Sequence, residues 1–262
     1  MKLEHITPLV LTYNEEPNIR RCLERLQWAS RVVVIDSGSS DRTLALCAAF
    51  PNVEVMHRDF DSFAGQCNAG LSLITSEWVL SLDADYLVPE NFSTILETLS
   101  NSDGVQGYRL PFRYCVFGRA LRSCLYPPRT VLYRQEAAEY HDDGHGHRVA
   151  ITGAVRRLPF LIDHDDRKPL SRWFQSQLKY AILEAEKLTA TSEPEGLPDR
   201  VRRLIWPAVP AVFFYTLFVK RLILDGWPGL FYVLQRTFAE MVLSLVLLEK
   251  KLTFPKAPPK FS

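Results

Sequence analysis

The sequence predicts an α/β fold: a mostly parallel sheet with flanking helices, followed by C-terminal amphipathic helices. Three observations carry that expectation. Short apolar runs of strand length alternate with helical patterns through the first half of the chain. Several of these runs end abruptly in an acidic residue or a polar turn. Beyond about residue 190 the composition changes to two long apolar stretches rich in Trp, Phe and Tyr.

The elements follow in order. Ile6 to Thr12 is apolar on both alternating sets of positions, which suits a strand covered on both faces. Asn14 reads as a helix N-cap, with Glu15 and Glu16 in the first turn, Pro17 early, and Ile19, Cys22, Leu23 and Leu26 on one face. Arg31 to Asp36 is a second strand. Ser37-Gly38-Ser39-Ser40 is a turn, and Asp41 caps a helix from Arg42 to about Phe50. Val53 to Val55 is a short third strand. A helix from Asn68 to Ile74 leads into the strand Trp78 to Asp83, Pro89 opens another helix, and Gly104 to Phe112 is a further strand. Arg119 to Arg134, rich in Arg, Tyr and Pro, reads as a loop, and Val149 to Leu161 returns to strand-like alternation. Ser171 to Thr189 is an amphipathic helix, and Ser192 to Asp199 a hinge. The expected organisation is a catalytic domain over 1–190, with halves 1–110 and 111–190, and a helical region over 191–262.

Within that last region, Leu204 to Val219 is almost wholly apolar, but at about 16 residues it is short of the ~20 that span a bilayer. Arg202-Arg203 and Lys220-Arg221 flank it. Gly229 to Leu248 is interrupted by Gln235, Arg236 and Glu240, which would be costly inside a bilayer. Two readings stay open: ordinary packing helices, or helices lying on a membrane surface with basic flanks toward headgroups. A net charge of +1 gives no support to a nucleic-acid partner. Five scattered cysteines with no Cys-x-x-Cys, and an N-terminus that enters a strand at once, lead us to expect a cytoplasmic protein with reduced thiols.

The chemistry gathers at strand ends. Thr12-Tyr13-Asn14-Glu15-Glu16, Asp36 with its serine turn, and Asp83-Ala84-Asp85 all fall where parallel strands meet the carboxyl edge of a sheet, the edge at which such sheets bind ligands. Buried carboxylates there need partners. A nucleotide supplies them: a base imide for Asp36, a ribose hydroxyl for Asp83, and a hard cation for Asp85, Mg²⁺ or Mn²⁺, bridging a diphosphate. Neither Gly-x-Gly-x-x-Gly nor a P-loop is present.

The ordered set Thr12-Tyr13-Asn14-Glu15-Glu16, Val34-Ile35-Asp36-Ser37-Gly38-Ser39-Ser40-Asp41, Gln66-Cys67-Asn68-Ala69-Gly70 and Leu82-Asp83-Ala84-Asp85 resembles the family 2 inverting glycosyltransferases of the GT-A fold. Asp143-Gly144-His145 and His164-Asp165-Asp166-Arg167-Lys168 look like a bacterial subgroup close to lipopolysaccharide-core glucosyltransferases. The resemblance implies a UDP-sugar donor, with Thr12, Tyr13, Glu15, Asp36 and Ser39 on the nucleoside, Asp83 at the ribose, and Asp85 with Asp83 at the metal. It implies a glycolipid or polysaccharide acceptor at the inner membrane surface, met by the Arg119 to Arg134 loop and the C-terminal helices. Tyr86 departs from the acidic residue common in relatives. An inverting reaction needs one general base on the acceptor side, for which Asp143 and then Asp142 are expected, against a solvated acidic loop. His145, Arg167 and Lys168 are candidates for the diphosphate or acceptor. A nucleotidyltransferase and a catalytically silent nucleotide-sugar-binding protein are the rival readings. The first is disfavoured because Asn14-Glu15-Glu16 stands where a Gly-rich, basic loop would be.

Overall fold

The computed structural model describes residues 1–100, 104–143, 146–190 and 196–253. It divides into two compact units, Met1–Asp142 with Gly146–Lys168, and a second that begins at Pro169. In the first unit, strands β1 (Ile6–Thr12), β2 (Val32–Asp36), β3 (Val53–His57), β4 (Trp78–Asp83) and β5 (Tyr86–Leu87) are interleaved with helices α1 (Ile19–Glu24), α2 (Thr43–Cys47) and α3 (Phe63–Ser72). Then come α4 (Phe92–Thr98), β6 (Val105–Leu110), β7 (Phe112–Val116), β8 (Arg119–Ala120), β9 (Arg129–Arg134), β10 (Ala138–Asp143), β11 (Gly146–Ile151), β12 (Ala154–Arg157) and β13 (Ile162–His164).

The main sheet has seven strands in the order β12-β6-β9-β4-β1-β2-β3. The pairs β1–β2, β1–β4 and β2–β3 are parallel. Smaller sheets are β10-β11 and β5-β13-β7-β8. Strand alternation feeds two cores. Ile6, Val10, Val32, Val34, Trp78, Leu80 and Leu82 pack with α1 on one face, whereas Leu9, Val33, Ile35 and Val79 pack with Ala64, Cys67 and Leu71 of α3 on the other. Both faces are covered, which is why these strands read as continuous apolar runs. Gly70 lets α3 lie against the sheet, since a Cβ there would fall 2.4 Å from Leu9 Cδ1.

Several boundaries differ from expectation. The first helix begins at Ile19, not at Asn14, which sits in the left-handed region at φ 53°. Its side-chain Oδ1 instead accepts from Ser40 N–H at 2.6 Å and Asp41 N–H at 3.2 Å, a tertiary pairing that holds Asn14 in a backbone region Asn tolerates better than most residues. The third helix starts earlier than expected, capped by Ser62, whose side chain accepts from Gly65 N–H. The largest departure is Arg119 to Arg134. It is not a loop throughout: its last six residues form β9, antiparallel to both β4 and β6 inside the main sheet. Val131, Leu132 and Tyr133 are buried. The charged ends hid the strand from view. Arg134 pairs with Glu77 and stacks over Trp78 at 4.8 Å.

The second unit is helical: α5 (Leu170–Ala190), α6 (Leu197–Arg203), α7 (Ala208–Phe214), a π turn at Tyr215–Val219, a 3-10 turn at Leu222–Asp225, and α8 (Gly226–Thr253). The boundary expected near 190 falls at 168/169, because α5 belongs with α8. Ala181, Ala185 and Leu188 pack against Leu243, Val246 and Leu247. Arg202 Nε donates to both carboxylate oxygens of Glu240 at 3.2 Å, and its Nη1 to Glu184 at 3.2 Å. The acid that interrupts the apolar run is thus buried and paired. Leu222–Thr253 is long and apolar enough to cross a membrane by length and composition only.

Leu132 is 0% exposed. Leu132→Ala should lower unfolding stability by about 2–5 kcal/mol, read from the urea midpoint at constant slope, because a core strand loses packing. A change within about 0.5 kcal/mol, as at a surface loop, would show that β9 is not part of the core.

Candidate active site

Thr12 pairs in register with Asp36, and Leu11 with Asp83, so β1, β2 and β4 end level with one another. This is the carboxyl edge, with the acidic residues of three sequence segments along it. Thr12 is buried and its Oγ1 has no hydrogen-bond partner. Tyr13 is exposed beside it.

Asp36 was expected against a base. Its side chain is 0% exposed, and Oδ2 accepts from Gly38 N–H and Ser39 N–H, both at 2.9 Å, while Ser39 Oγ donates to Oδ1. The carboxylate is enclosed and engaged by its own turn, whose Gly38 has φ 89°. It therefore shapes the loop and is not open to a ligand in this structure. Ser39 Oγ in turn accepts from Asn14 N–H at 2.7 Å, which pins the loop after β1 to the turn after β2.

Asp83 stands at the end of β4, and its Oδ2 lies 3.9 Å from Arg129 Nη1. Arg129 also donates to Tyr86 Oη at 3.3 Å and lies 4.9 Å above the Tyr126 ring. Asp85 is buried. Its Oδ2 is 3.3 Å from His164 Nε2 and 3.9 Å from Lys168 Nζ. Its Oδ1 has no partner. Burial pushes the Asp85 carboxyl up, but the His164 and Lys168 charges outweigh that and hold it below the usual range. His164 is likewise disfavoured as a cation by burial, yet Asp85 raises it. Its ring is boxed by Tyr86, Tyr114 and Tyr126 at 5.2, 4.8 and 5.0 Å. Tyr86, at the departure from the family pattern, thus builds an aromatic wall and shares a hydroxyl contact with Tyr126.

Glu15, expected at the nucleoside, grips Lys168 instead, with Nζ donating to Oε1 at 2.6 Å. Asn18 Nδ2 holds the other oxygen at 2.8 Å. Asp166 Oδ1 is the third carboxylate, 3.3 Å from the same ammonium. Burial lowers Lys168, but Asp85, Glu15 and Asp166 raise it, so it stays charged. Three acids share this ammonium, and Asp85 also faces His164. With Asp85 held ionised, Glu15 is the group that burial pushes up, to about 7.

The 164–168 segment is tied down around this knot. Asp165 N–H donates to Asp85 O at 3.0 Å. The Asp165 carboxylate accepts from Arg21 at 2.7 Å, Gly118 N–H at 3.0 Å, and Arg167 at 3.0 and 2.8 Å. Arg167 is therefore engaged with Asp165, and of the expected basic pair Lys168 is the one that reaches Asp85. Asp142, a candidate base, is exposed, and its Oδ1 accepts from Ala64 N–H at 3.1 Å near the start of α3. Asp143 closes β10, but its side chain, like His145, lies outside the described residues. Asn68 braces this strand, donating to Tyr140 O and accepting from Tyr140 N–H, both at 3.0 Å. The residues that sequence reasoning missed are Arg129, His164 as the partner of Asp85, and Tyr126. Only the His-Asp-Asp-Arg-Lys cluster signalled one of them in advance.

Among the described residues no group of three or more His, Cys, Asp or Glu is arranged to hold a metal ion by itself. The donor set still fits one. Asp85 Oδ1 is buried without a partner, and Asp83 lies two residues before it at the end of β4. A Mg²⁺- or Mn²⁺-like cation takes one or two carboxylates and completes its shell from phosphate oxygens and water.

The mostly parallel sheet, with acid-bearing strand ends converging on one edge and helices on both faces, is a GT-A-like α/β fold. Residues 9–158 match Glycosyl transferase family 2. The chain belongs to that family and is a glycosyltransferase. It is 27% identical over 237 residues to the lipopolysaccharide core biosynthesis glycosyltransferase LpsC of Rhizobium meliloti (strain 1021), covering 82% of this chain and 81% of that one. It is 21% identical over 242 residues to an uncharacterized glycosyltransferase of Rickettsia prowazekii (strain Madrid E), covering 87% and 81%. The crystal structure of glucosyl-3-phosphoglycerate synthase from Mycobacterium tuberculosis in complex with uridine-diphosphate shares the fold, with TM-score 0.50 at 16% identity over 74% of this chain and 84% of that one.

Glu15 binds its proton more tightly when folded than at its ordinary value of 4.5. Its contribution to stability is full below about 4.5 and is lost as pH rises through about 7. Glu15→Gln removes that titration. The stability of the natural protein relative to Glu15→Gln should fall by on the order of 1–3 kcal/mol across this window in urea unfolding. A difference that stays flat with pH would mean that Glu15 is ionised throughout.

Proposed function

We propose that this glycosyltransferase is metal-dependent and inverting. It moves a sugar from a UDP-sugar to a hydroxyl of a lipopolysaccharide-core or related glycolipid acceptor at the inner face of the cytoplasmic membrane. The observation that carries the reading is Asp85: buried, ionised, flanked by the Lys168 ammonium and the His164 ring, and with one oxygen unmet at the carboxyl edge of the sheet. The likeness to LpsC supports the acceptor class.

In this reading Thr12, Tyr13 and the Ser39 turn frame the nucleoside, Asp83 meets the ribose, and Asp85 holds the cation with Asp83 beside it. The cation, when bound, offsets charge on the departing diphosphate. Lys168 and Arg129 add fixed positive charge at the same end, where it stabilises charge that grows as the bond breaks. The acceptor oxygen attacks the anomeric carbon from the face opposite the diphosphate. Asp143, or Asp142, takes the hydroxyl proton as the new bond forms. The sugar–phosphate bond breaks and UDP leaves with its electron pair.

Asp85→Asn should reduce kcat/KM for transfer by at least about 100-fold. It should also abolish the Mn²⁺-dependent part of the thermal shift produced by UDP, because ligand that binds only the folded state raises Tm by mass action. Transfer that survives both this substitution and EDTA would remove the metal from the reading. Release of pyrophosphate instead of UDP would favour nucleotidyl transfer.

Asp143→Asn should lower kcat by about 10²–10⁴-fold with little change in the KM for donor, and Asp142→Asn should do so only if it is the base. Product anomers assigned by NMR decide inversion directly. If neither substitution slows turnover, the base lies elsewhere.

A further inference from the structure

The helical unit presents an apolar surface that the transfer chemistry does not use. Along α8, Leu234, Phe238, Met241, Leu245, Leu248 and Leu252 recur at alternating four- and three-residue steps, and all are exposed. Trp227, one heptad before Leu234, extends the stripe and is 83% exposed. From Trp227 to Leu252 the stripe runs about 37 Å. It joins the exposed apolar positions Phe174, Leu178 and Ile182 of α5 through the Phe174–Phe238 ring contact at 4.9 Å. A second tryptophan, Trp206, is 82% exposed in the link between α6 and α7. Contiguous apolar surface of this extent marks a docking face.

The opposite side of α8 is committed inward. Leu243, Val246 and Leu247 pack on α5, and Glu240 is buried against Arg202. The helix therefore has one protein face and one apolar outer face, which suits lying in an interface and not crossing it. Charge selects the occupant. Between residues 200 and 221 there is no acidic residue; Arg200, Arg203, Lys220 and Arg221 are basic besides Arg202, which is engaged with Glu240, and Lys220-Arg221 sits directly before the turn into α8. Cationic flanks beside exposed tryptophans match the anionic headgroup layer of a bilayer. A second copy of the chain is the weaker fit. A paired coiled-coil seam places opposite charges beside its apolar stripe along its length, whereas here only the last heptad does, with Glu249 and Lys251; Pro228, Gln235 and Val242 on one side and Leu230, Thr237 and Ser244 on the other carry none.

We infer that the outer face of α8, with Trp227 and the Lys220-Arg221 pair, lies in the plane of an anionic phospholipid surface. This deepens the reading of a lipid-linked acceptor and rests on it for its purpose, but it is a separate physical claim.

The test uses the full chain in detergent-free buffer, sedimented with vesicles of phosphatidylglycerol and phosphatidylethanolamine or of phosphatidylcholine alone. Binding should favour the anionic vesicles by at least about tenfold and fall in about 0.5 M salt. A Trp227→Ala, Met241→Ser, Leu245→Ser variant should bind at least about tenfold more weakly. Its melting temperature and its donor hydrolysis should be unchanged. Lys220→Glu with Arg221→Glu should remove the lipid preference. Asp85→Asn should bind vesicles like the natural protein, so loss of the catalytic reading and loss of this one give different results. Equal sedimentation of the stripe variant and the natural protein would overturn the inference. So would vesicle-independent dimers that the stripe variant converts to monomers, since the face would then belong to a second copy. Resistance of bound protein to alkaline carbonate would mean that α8 crosses the bilayer.

Discussion

Lys168 is a cation enclosed by Glu15, Asp85 and Asp166, and it joins residues 153 positions apart in the chain. Desolvating four charged groups is expensive, and only close mutual pairing offsets the cost. Removing the Lys168 ammonium would leave the carboxylates uncompensated, which typically costs about 3–5 kcal/mol. The knot therefore fixes three things together: the loop after β1, the turn after β4, and the segment after β13. The Asp165–Arg21 and Asp165–Gly118 bonds and the Asn18 bridges extend the same fixation outward. What results is a rigid rim on which one carboxylate oxygen, Asp85 Oδ1, is left unmet.

In the proposed reading, a strongly anionic diphosphate would meet a rim on which anionic and cationic groups are interleaved. Binding that is equal in ground and transition states does not raise kcat. Lys168 and Arg129 sit on either side of the Asp83–Asp85 turn, each already oriented by carboxylates and aromatic rings. Such preorganised groups need little rearrangement as charge develops.

Much of this arrangement was legible in the sequence because strand ends are local features. Val32 to Asp36 and Trp78 to Asp83 read as strands that stop at an acid, and their register places those acids level with one another. Partnerships were not legible, because they are tertiary. Glu15 looked like a helix-start acid and was expected at the nucleoside. Its partner lies at the far end of the first unit, and no spacing rule links the two. Asp36 was expected to be a buried strand-end carboxylate partnered by a base imide, yet the turn that follows it folds back and supplies its partners. Strand β9 was hidden by Arg129 and Arg134, whose charges are satisfied by Asp83, Glu77 and a tryptophan face. Propensity cannot anticipate charges neutralised across a sheet.

The same logic applies to the apolar segments of the helical unit. Hydropathy alone treats Glu240 and Arg236 as interruptions. Glu240 is instead the anchor that orients α8, since its pairing with Arg202 and the neighbouring Glu184 bond turn that face of the helix toward its partner helices. Once that face is set, the 3.6-residue period dictates which side chains point outward, and those are Trp227 and the leucine-rich stripe. A buried ion pair contributes little net stability, but it specifies orientation. Without Glu240 only the packing of Leu243, Val246 and Leu247 on α5 would set the rotation of the helix. With it, one apolar face is buried and the other is held outward.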